Sequence, residues 1–200
     1  AVLFHPQTAR KSMNKAQEGS KGLRLVQDGL EGLTDGIEPI VETLYGHQIP
    51  RIHSRLREDL PSRGQEIIDF AASIGLELLP WQAWLMTQAT RVKEDGRYLH
   101  PLVFAMCARQ NGKTTIMKAR ILAGLFLFDE KLQIGTAHRL TTSLETFRDL
   151  VNIIESNESL SSQVKKIRWA YGSEEIELKN GNRYMIKAGA SAARGIAAPA

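Results

Sequence analysis

The sequence predicts an α/β fold with a mainly parallel sheet flanked by helices, plus a β-hairpin. Three patterns in the 200 residues indicate this fold. An apolar run at residues 102–106 precedes a helical repeat, a second apolar run at residues 132–136 follows it, and the residues on both sides of Asn180 and Gly181 alternate. Strand, helix and strand in this order are typical of a parallel sheet with helices on its faces.

Four helices are predicted from apolar residues that recur at three- and four-residue spacing. The first begins near Ser62 and stops at Gly75, and the second begins after Pro80. The third spans about residues 114–128, and the fourth follows the run at 132–136. Their buried faces are predicted to consist of Ile67, Ile68, Phe70, Ala71 and Ile74, then Trp81, Trp84 and Leu85, then Met117, Ile121, Leu125 and Phe128, and finally Leu144, Phe147, Val151 and Ile154.

The strands are predicted from short apolar or alternating runs. Residues 102–106 follow Pro101 and are apolar throughout, which favours a buried parallel strand. With the next helix and the strand at 132–136 they form a β-α-β unit, for which a right-handed crossover is expected. Residues 175–178 and 184–186 alternate around Asn180 and Gly181, which predicts a hairpin.

The N-terminal part of the chain differs in composition from the rest. Residues 1–36 are rich in Gly, Lys, Gln, Asp and Ser, so we expect them to be flexible. Residues 1–49 are therefore predicted to be a flexible or unassigned segment, and residues 50–200 to be an incomplete domain. Arg51, Arg55 and Arg57 form a basic stretch at the start of that domain.

A phosphate-binding loop is predicted between the 102–106 strand and the following helix. Gly112, Lys113 and Thr114 match the end of the pattern G-x-x-x-x-G-K-[ST], while Cys107 stands at the first glycine position. Backbone N–H groups of such a loop form an anion nest with the helix N-terminus. Lys113 would contact the β- and γ-phosphates of ATP, and the Thr114 hydroxyl would bind Mg²⁺. The predicted binding residues are Cys107, Ala108, Arg109, Gln110, Asn111, Gly112, Lys113, Thr114 and Thr115.

Two residues of this loop also have a purely structural interpretation. Gly112 could mark only a turn between a strand and a helix. Cys107 is more simply a small packing residue in place of the glycine than a reactive thiol.

Four segments, in this order, make residues 50–195 resemble the ATPase portion of the large subunit of tailed-bacteriophage terminases. They are Leu78-Leu79-Pro80-Trp81-Gln82, the loop from Ala108 to Thr115, Ile134-Gly135-Thr136-Ala137-His138, and Ala190-Ser191-Ala192-Ala193-Arg194-Gly195. The resemblance implies a P-loop NTPase fold and an ATPase that moves double-stranded viral DNA into proheads. In the family, the glutamine that corresponds to Gln82 contacts adenine.

The resemblance also implies partners and catalytic residues. The partners are double-stranded DNA, the terminase small subunit and the portal protein of the prohead, with several copies in a homo-oligomeric ring in the host cytoplasm. Lys113 and Arg109 are the candidate catalytic residues. Arg109 could contact the γ-phosphate in its own subunit, act across a subunit boundary as an arginine finger, or pair with a nearby acid. Arg194 is a further candidate contact to phosphate or DNA, or an ordinary loop residue.

The sequence departs from the family after Gly195. There the family continues into an apolar Walker B strand ending in Asp-Glu and later into a nuclease domain, whereas this chain reads Ile196-Ala197-Ala198-Pro199-Ala200. The resemblance therefore implies a terminase ATPase truncated before Walker B, for which ATP binding is expected more strongly than hydrolysis. Asp129 and Glu130 follow an apolar run but should lie roughly 20 Å from the phosphates, at the far end of the third helix. We interpret them as solvated helix-end residues.

Two other functions fit the same motifs. A helicase-like or other P-loop DNA translocase would share Lys113 and Thr114 and would carry further motifs beyond this chain. A non-hydrolytic nucleotide-binding or interaction module would lack a Walker B strand by nature. A nucleoside kinase fits less well, because no segment resembles an acceptor-binding site.

Composition narrows the class of protein. Apolar residues make up 42% and charged residues 24% of the chain, and neither a membrane span nor a signal peptide is indicated, so a soluble intracellular protein is expected. One cysteine permits no internal disulfide, and five scattered histidines predict no zinc site. The net charge of +4 suits a phosphate-rich partner. The best local patch for a nucleic-acid backbone is Lys165, Lys166, Arg168 and Trp169, although such clusters are more often solvated surface.

Overall fold

The computed structural model describes residues 2–4, 47–137, 140–170 and 174–188. The chain divides into two compact units, Ala1–Leu56 with Leu102–Asn111, and Arg57–Pro101 with Gly112–Ala200. Predictions on His5, His138 and the segment 190–195 fall outside the described residues. No helix in the described ranges is long and apolar enough to cross a lipid bilayer.

The first unit contains a two-stranded parallel sheet. Strand β1, Val2–Phe4, pairs with strand β2, Ala105–Cys107, so that Val2 lies beside Ala105 and Phe4 beside Cys107. Val2–Phe4 is the described part of residues 1–36, and the flexibility expected for that segment stays a prediction.

The predicted strand at residues 102–106 is also corrected. Only Ala105–Cys107 forms a strand, and Leu102 and Phe104 are 84% and 55% exposed. The run is apolar, but its only described sheet neighbour is the three-residue β1. In addition, β2 and β3 belong to different sheets, so the described strands do not form the predicted β-α-β unit within one sheet.

The second unit contains five helices and a four-stranded sheet in its described part. The helices are α1 Gly64–Ser73, α2 Pro80–Ala89, α3 Lys113–Phe126, α4 Leu140–Glu155 and α5 Glu158–Ser161. The strands are β3 Leu132–Ala137, β4 Val164–Arg168, β5 Glu175–Leu178 and β6 Arg183–Ala188. The mixed α/β class and the four long helices are confirmed, with ends within a few residues of those predicted.

The four-stranded sheet has the order β3-β6-β5-β4 and is mixed. β3 and β6 are parallel, whereas β5 is antiparallel to both β6 and β4. A mainly parallel sheet was predicted, but in this sheet only β3 and β6 are parallel. The hairpin turn between β5 and β6 is short, and a short turn can join only antiparallel neighbours. The hairpin at Asn180 and Gly181 is confirmed, and it links β5 to β6.

The main core lies between this sheet and the helices α3 and α4. Phe147, Leu150 and Ile154 of α4 are fully buried against Ile176 and Ile186 of the sheet. Five of the eight residues predicted for the buried faces of α3 and α4 are buried, namely Ile121, Leu125, Phe147, Val151 and Ile154. Leu144 is half-buried, Phe128 is half-buried and lies beyond the end of α3, and Met117 is 48% exposed. A second, smaller core joins three helices through Ile67 and Ala71 of α1, Met86 of α2, and Ala119 and Ala123 of α3. It packs α2 beside α3, and the site described below lies on these two helices.

Candidate phosphate-binding site

The N-terminus of α3 is the centre of the candidate site. Gly112 is the N-cap residue and has φ +80°, a left-handed conformation that an L side chain rarely adopts. Lys113, Thr114 and Thr115 form the first turn, and the backbone N–H of Thr115 donates to the carbonyl oxygen of Gly112 at 3.1 Å. Thr114 is exposed and Lys113 is half-buried.

The first turn of α3 has an unusual composition for a helix start. It contains no acidic residue, and Gly112 provides no side-chain cap. The first N–H groups of a helix lack intrahelical acceptors and carry a partial positive charge, so a lysine in the first turn is locally unfavourable. Lys113 therefore adds positive charge to an end that is already positive. Such an end is suited to bind an anion.

The side chain of Gln82 fixes the position of Gly112. Gln82 lies in α2 and is 1% exposed. Its Oε1 accepts a hydrogen bond from the backbone N–H of Leu79 at 2.7 Å, and its Nε2 donates to the carbonyl oxygen of Gly112 at 2.9 Å. A Cβ atom on residue 112 would lie 2.5 Å from Gln82 Nε2. The amide thus links the N-terminus of α2 to the N-terminus of α3.

The same contacts occupy part of the Gln82 amide that was predicted to bind adenine. The amide oxygen and one amide N–H are bonded within the protein, and the side chain is buried. In this arrangement Gln82 positions the loop glycine. Its adenine contact stays a prediction.

The remaining loop residues, 107–111, belong to the other compact unit. Gln110 has φ +65°, which is uncommon for a residue with a side chain. The Nδ2 of Asn111 donates to the carbonyl oxygen of Arg109 at 3.3 Å. Cys107 is half-buried, and Ala108 is exposed. Backbone strain of this kind is frequent at ligand-binding loops.

Arg109 is exposed. None of the ion pairs between described residues involves its guanidinium. Pairing with an acid of this chain was one of the three roles predicted for it, and the described residues provide no such acid. The two phosphate-contacting roles stay predictions.

The residues Asp129 and Glu130 lie beyond the C-terminal end of α3, as predicted, but only Asp129 is solvated; Glu130 is partly buried because it folds back onto Arg120. Glu130 forms two hydrogen bonds with the guanidinium of Arg120, at 2.6 and 3.0 Å. Asp129 is exposed and pairs with Lys131 at 2.7 Å, a hydrogen bond that lowers the pKa of the Asp129 carboxyl. Both carboxylates are therefore paired, Asp129 beyond the C-terminal end of α3 and Glu130 with a residue in the middle of the helix.

The predicted backbone-contacting patch is strand β4, at the edge of the four-stranded sheet. Lys165 pairs with Glu177 at 2.6 Å, which lowers the pKa of the Glu177 carboxyl, and Arg168 pairs with Glu175 at 3.4 Å. Trp169 is half exposed and packs edge-on against Phe147, with 4.9 Å between ring centroids. Cross-strand ion pairs therefore offset much of the positive charge of this patch. Charged side chains on an edge strand also prevent pairing with other chains.

No group of three or more potential metal ligands from His, Cys, Asp and Glu occurs in the described ranges. The Mg²⁺ contact predicted for Thr114 does not depend on such a group, because Mg²⁺ at a nucleotide is held largely by phosphate oxygens and water. Thr114 is exposed and lies in the first turn of α3, and its Mg²⁺ contact stays a prediction.

Sequence patterns did not reveal the bond between Gln82 and Gly112, which are 30 residues apart. No periodicity connects them. The only local indication was the position of Gln82 in the third place of α2, from which a glutamine reaches back to the N-terminal backbone of its helix.

Comparison with protein-family models, curated proteins and solved structures finds no match to this chain.

Proposed function

We propose that the chain binds Mg²⁺-ATP at the N-terminus of α3 and forms the ATP-binding part of a DNA-packaging motor of the terminase large-subunit type. One observation carries the nucleotide part of this proposal. Lys113 stands in the first turn of a 14-residue helix that starts at a left-handed glycine and has neither a side-chain cap nor an acid in that turn. A bound phosphate offsets both unfavourable features.

Each residue of the first turn has a distinct role in this proposal. The backbone N–H groups of Lys113 and Thr114 bind phosphate oxygens, and the Lys113 ammonium adds a charged hydrogen bond. The Thr114 hydroxyl binds Mg²⁺, which neutralises phosphate charge when it is bound. Gly112 lets the backbone approach the phosphates, and Gln82 holds Gly112 in place. For Arg109 the terminase resemblance implies a contact with the γ-phosphate, in its own or a neighbouring subunit.

The terminase part of the proposal rests on the sequence. The loop from Ala108 to Thr115 lacks the first glycine and contains Arg109, and the segments at 78–82, 134–138 and 190–195 accompany it in the order of the family. On this basis we infer a P-loop NTPase fold and double-stranded DNA as the translocated partner. The small subunit and the portal protein are the further partners, and the active form is a ring of identical subunits in the host cytoplasm.

The nucleotide site is tested by calorimetric titration of Mg²⁺-ATP into the unaltered chain and into Lys113→Ala. The variant should lose detectable binding, because it lacks the ammonium that contacts the β- and γ-phosphates. Lys131→Ala is the matched control, since Lys131 is exposed and pairs with Asp129 beyond the other end of α3. Equal ATP affinity in Lys113→Ala and the unaltered chain would refute the assignment.

A second candidate function is nucleotide binding without turnover. It is favoured by Asp129 and Glu130, which follow the C-terminal end of α3 and already form ion pairs, Asp129 with Lys131 and Glu130 with Arg120. In this proposal neither carboxylate positions an attacking water at Lys113. Phosphate release by the chain with saturating Mg²⁺-ATP distinguishes the two functions.

A further inference from the structure

The chain carries a short, exposed basic segment that does not include any of the predicted nucleotide-binding residues. Residues 51–55, Arg51, Ile52, His53, Ser54 and Arg55, are all exposed. Pro50 before them is buried and Leu56 after them is half-buried, so both ends of the segment are anchored. We call residues 51–55 the basic segment. It contains no acidic residue.

The arginines of the basic segment differ from the next arginine in the chain. Arg57 forms a bidentate pair with Asp59, in which Nε and Nη2 donate to the carboxylate at 2.9 and 2.7 Å. No ion pair between described residues involves Arg51 or Arg55. Their charges are therefore not offset by a described carboxylate, unlike those of Arg57 and of the β4 residues Lys165 and Arg168.

The chemistry of the basic segment fits a polymer of phosphates. A guanidinium is always charged near neutral pH, and its planar donors match two oxygens of one phosphate. Arg51 and Arg55 are four residues apart, a separation of up to about 13 Å in an extended chain. Since duplex DNA carries about one negative charge per 1.7 Å of its axis, both side chains can contact phosphates of the same duplex.

We propose that the basic segment contacts the phosphate backbone of double-stranded DNA, independently of base sequence. The choice of duplex DNA rests on the proposed function. Neither the exposure nor the charge of Arg51 and Arg55 depends on that function. The β4 patch is the weaker surface for this partner, because its ion pairs to Glu175 and Glu177 would have to break first.

The inference is tested by anisotropy titration of a labelled duplex of about 30 base pairs between about 50 and 200 mM KCl. In the double variant Arg51→Ala/Arg55→Ala, the slope of log K against log [salt] should fall in magnitude by about 1.8, or about 0.9 for each lost phosphate contact. Over this salt range, the unaltered chain should lose about 12-fold more affinity than the variant. Arg51→Lys/Arg55→Lys should retain the steep slope, because lysine also binds phosphate.

Arg57→Ala is the matched control, because it removes an arginine whose charge is already compensated by Asp59. An equal change of slope in Arg57→Ala and in the double variant would overturn the inference, as would an unchanged slope in the double variant. Vesicles containing about 30% phosphatidylserine provide a second polyanion. If the double variant loses vesicle binding and keeps the slope for DNA, the segment binds lipid headgroups and the inference is wrong.

ATP titration of the same variants separates this inference from the proposed function. Arg51→Ala/Arg55→Ala should bind ATP as the unaltered chain does. If Lys113→Ala loses ATP binding while the double variant has the same salt dependence of DNA binding as the unaltered chain, only the inference about the basic segment fails. If the slope falls but the unaltered chain binds no ATP, only the nucleotide site fails.

Discussion

The buried amide of Gln82 donates to the carbonyl oxygen of Gly112 at 2.9 Å and thereby connects α2 to the first turn of α3. Gly112 has φ +80° and leaves no room for a side chain next to Gln82. The conformation of the glycine and the position of the amide are therefore interdependent. The first turn of α3, which contains Lys113, starts from this contact.

Gly112→Ala should be strongly destabilising. A residue with a Cβ atom costs about 1–2 kcal/mol in the left-handed region, and the Cβ atom would lie 2.5 Å from Gln82 Nε2, which adds about 1–3 kcal/mol. Gly75→Ala is the control, because Gly75 has φ +76° but a Cβ atom there would meet no other atom within 4 Å, so only the backbone cost applies. Urea unfolding measures the free energy of unfolding that each variant loses. Equal losses would show that Gln82 does not confine residue 112.

Gln82→Ala should weaken ATP and GTP binding by the same factor. The substitution leaves the Leu79 N–H and the Gly112 carbonyl without their partner, which costs about 1–3 kcal/mol of stability and loosens the loop. The base of the nucleotide is irrelevant to this effect. Titration with both nucleotides is the measurement. A selective loss of ATP binding would instead support the adenine contact expected from the terminase resemblance.

Glu130→Gln should lower stability and leave ATP affinity unchanged. Glu130 pairs with Arg120 through two hydrogen bonds in a partly buried position, so loss of the charge should cost about 1 kcal/mol in urea unfolding. Arg120 lies in the middle of α3 and Glu130 follows the C-terminal end of the helix, so neither residue belongs to the first turn that contains Lys113. An ATP affinity that falls tenfold in Glu130→Gln would place this carboxylate at the nucleotide site.

Tyr184 should make the stability fall at alkaline pH. Burial raises the pKa of its hydroxyl from 10.0 to about 12 in the folded chain. The unfolded chain loses this proton near pH 10, whereas the folded chain keeps it. The contribution of the protonated Tyr184 hydroxyl to the free energy of unfolding is therefore complete below about pH 10, and it is lost as the pH rises from about 10 to 12. Between about pH 9 and 11, the unaltered chain should lose about 1.3 kcal/mol more than Tyr184→Phe in urea unfolding. If the free energy of unfolding falls equally with pH in both proteins, the raised pKa of Tyr184 is contradicted.

Local patterns predicted those elements whose formation depends on neighbouring residues in the sequence. The spacing of Ile121 and Leu125 predicted α3 within two residues of its observed bounds, and Asn180 with Gly181 predicted the hairpin. Strand β4 was not predicted. Its register with β5 shifts between Val164 and Lys166, and this irregularity interrupts the two-residue alternation that identifies a strand.

Long-range contacts were beyond the reach of such patterns. The apolar run at 102–106 predicted a buried strand, but burial depends on which elements cover it, and Leu102 is exposed. The cross-strand pair of Lys165 and Glu177 and the bond from Gln82 to Gly112 likewise join distant parts of the sequence. Lys113 and Thr114 were correctly predicted at the start of a helix, because a glycine before an amphipathic run is a local feature.

The phosphate site at the N-terminus of α3 is tested most directly by the backbone amide NMR signals of Lys113, Thr114 and Thr115 while Mg²⁺-ATP is added. We expect large, saturating shifts of these three signals, since their N–H groups lie in the first turn of α3, where the phosphates bind. Inorganic triphosphate should shift the same signals, and Lys113→Ala should abolish the response. Saturating shifts elsewhere in the chain, with these three signals unmoved, would contradict a phosphate site at the N-terminus of α3.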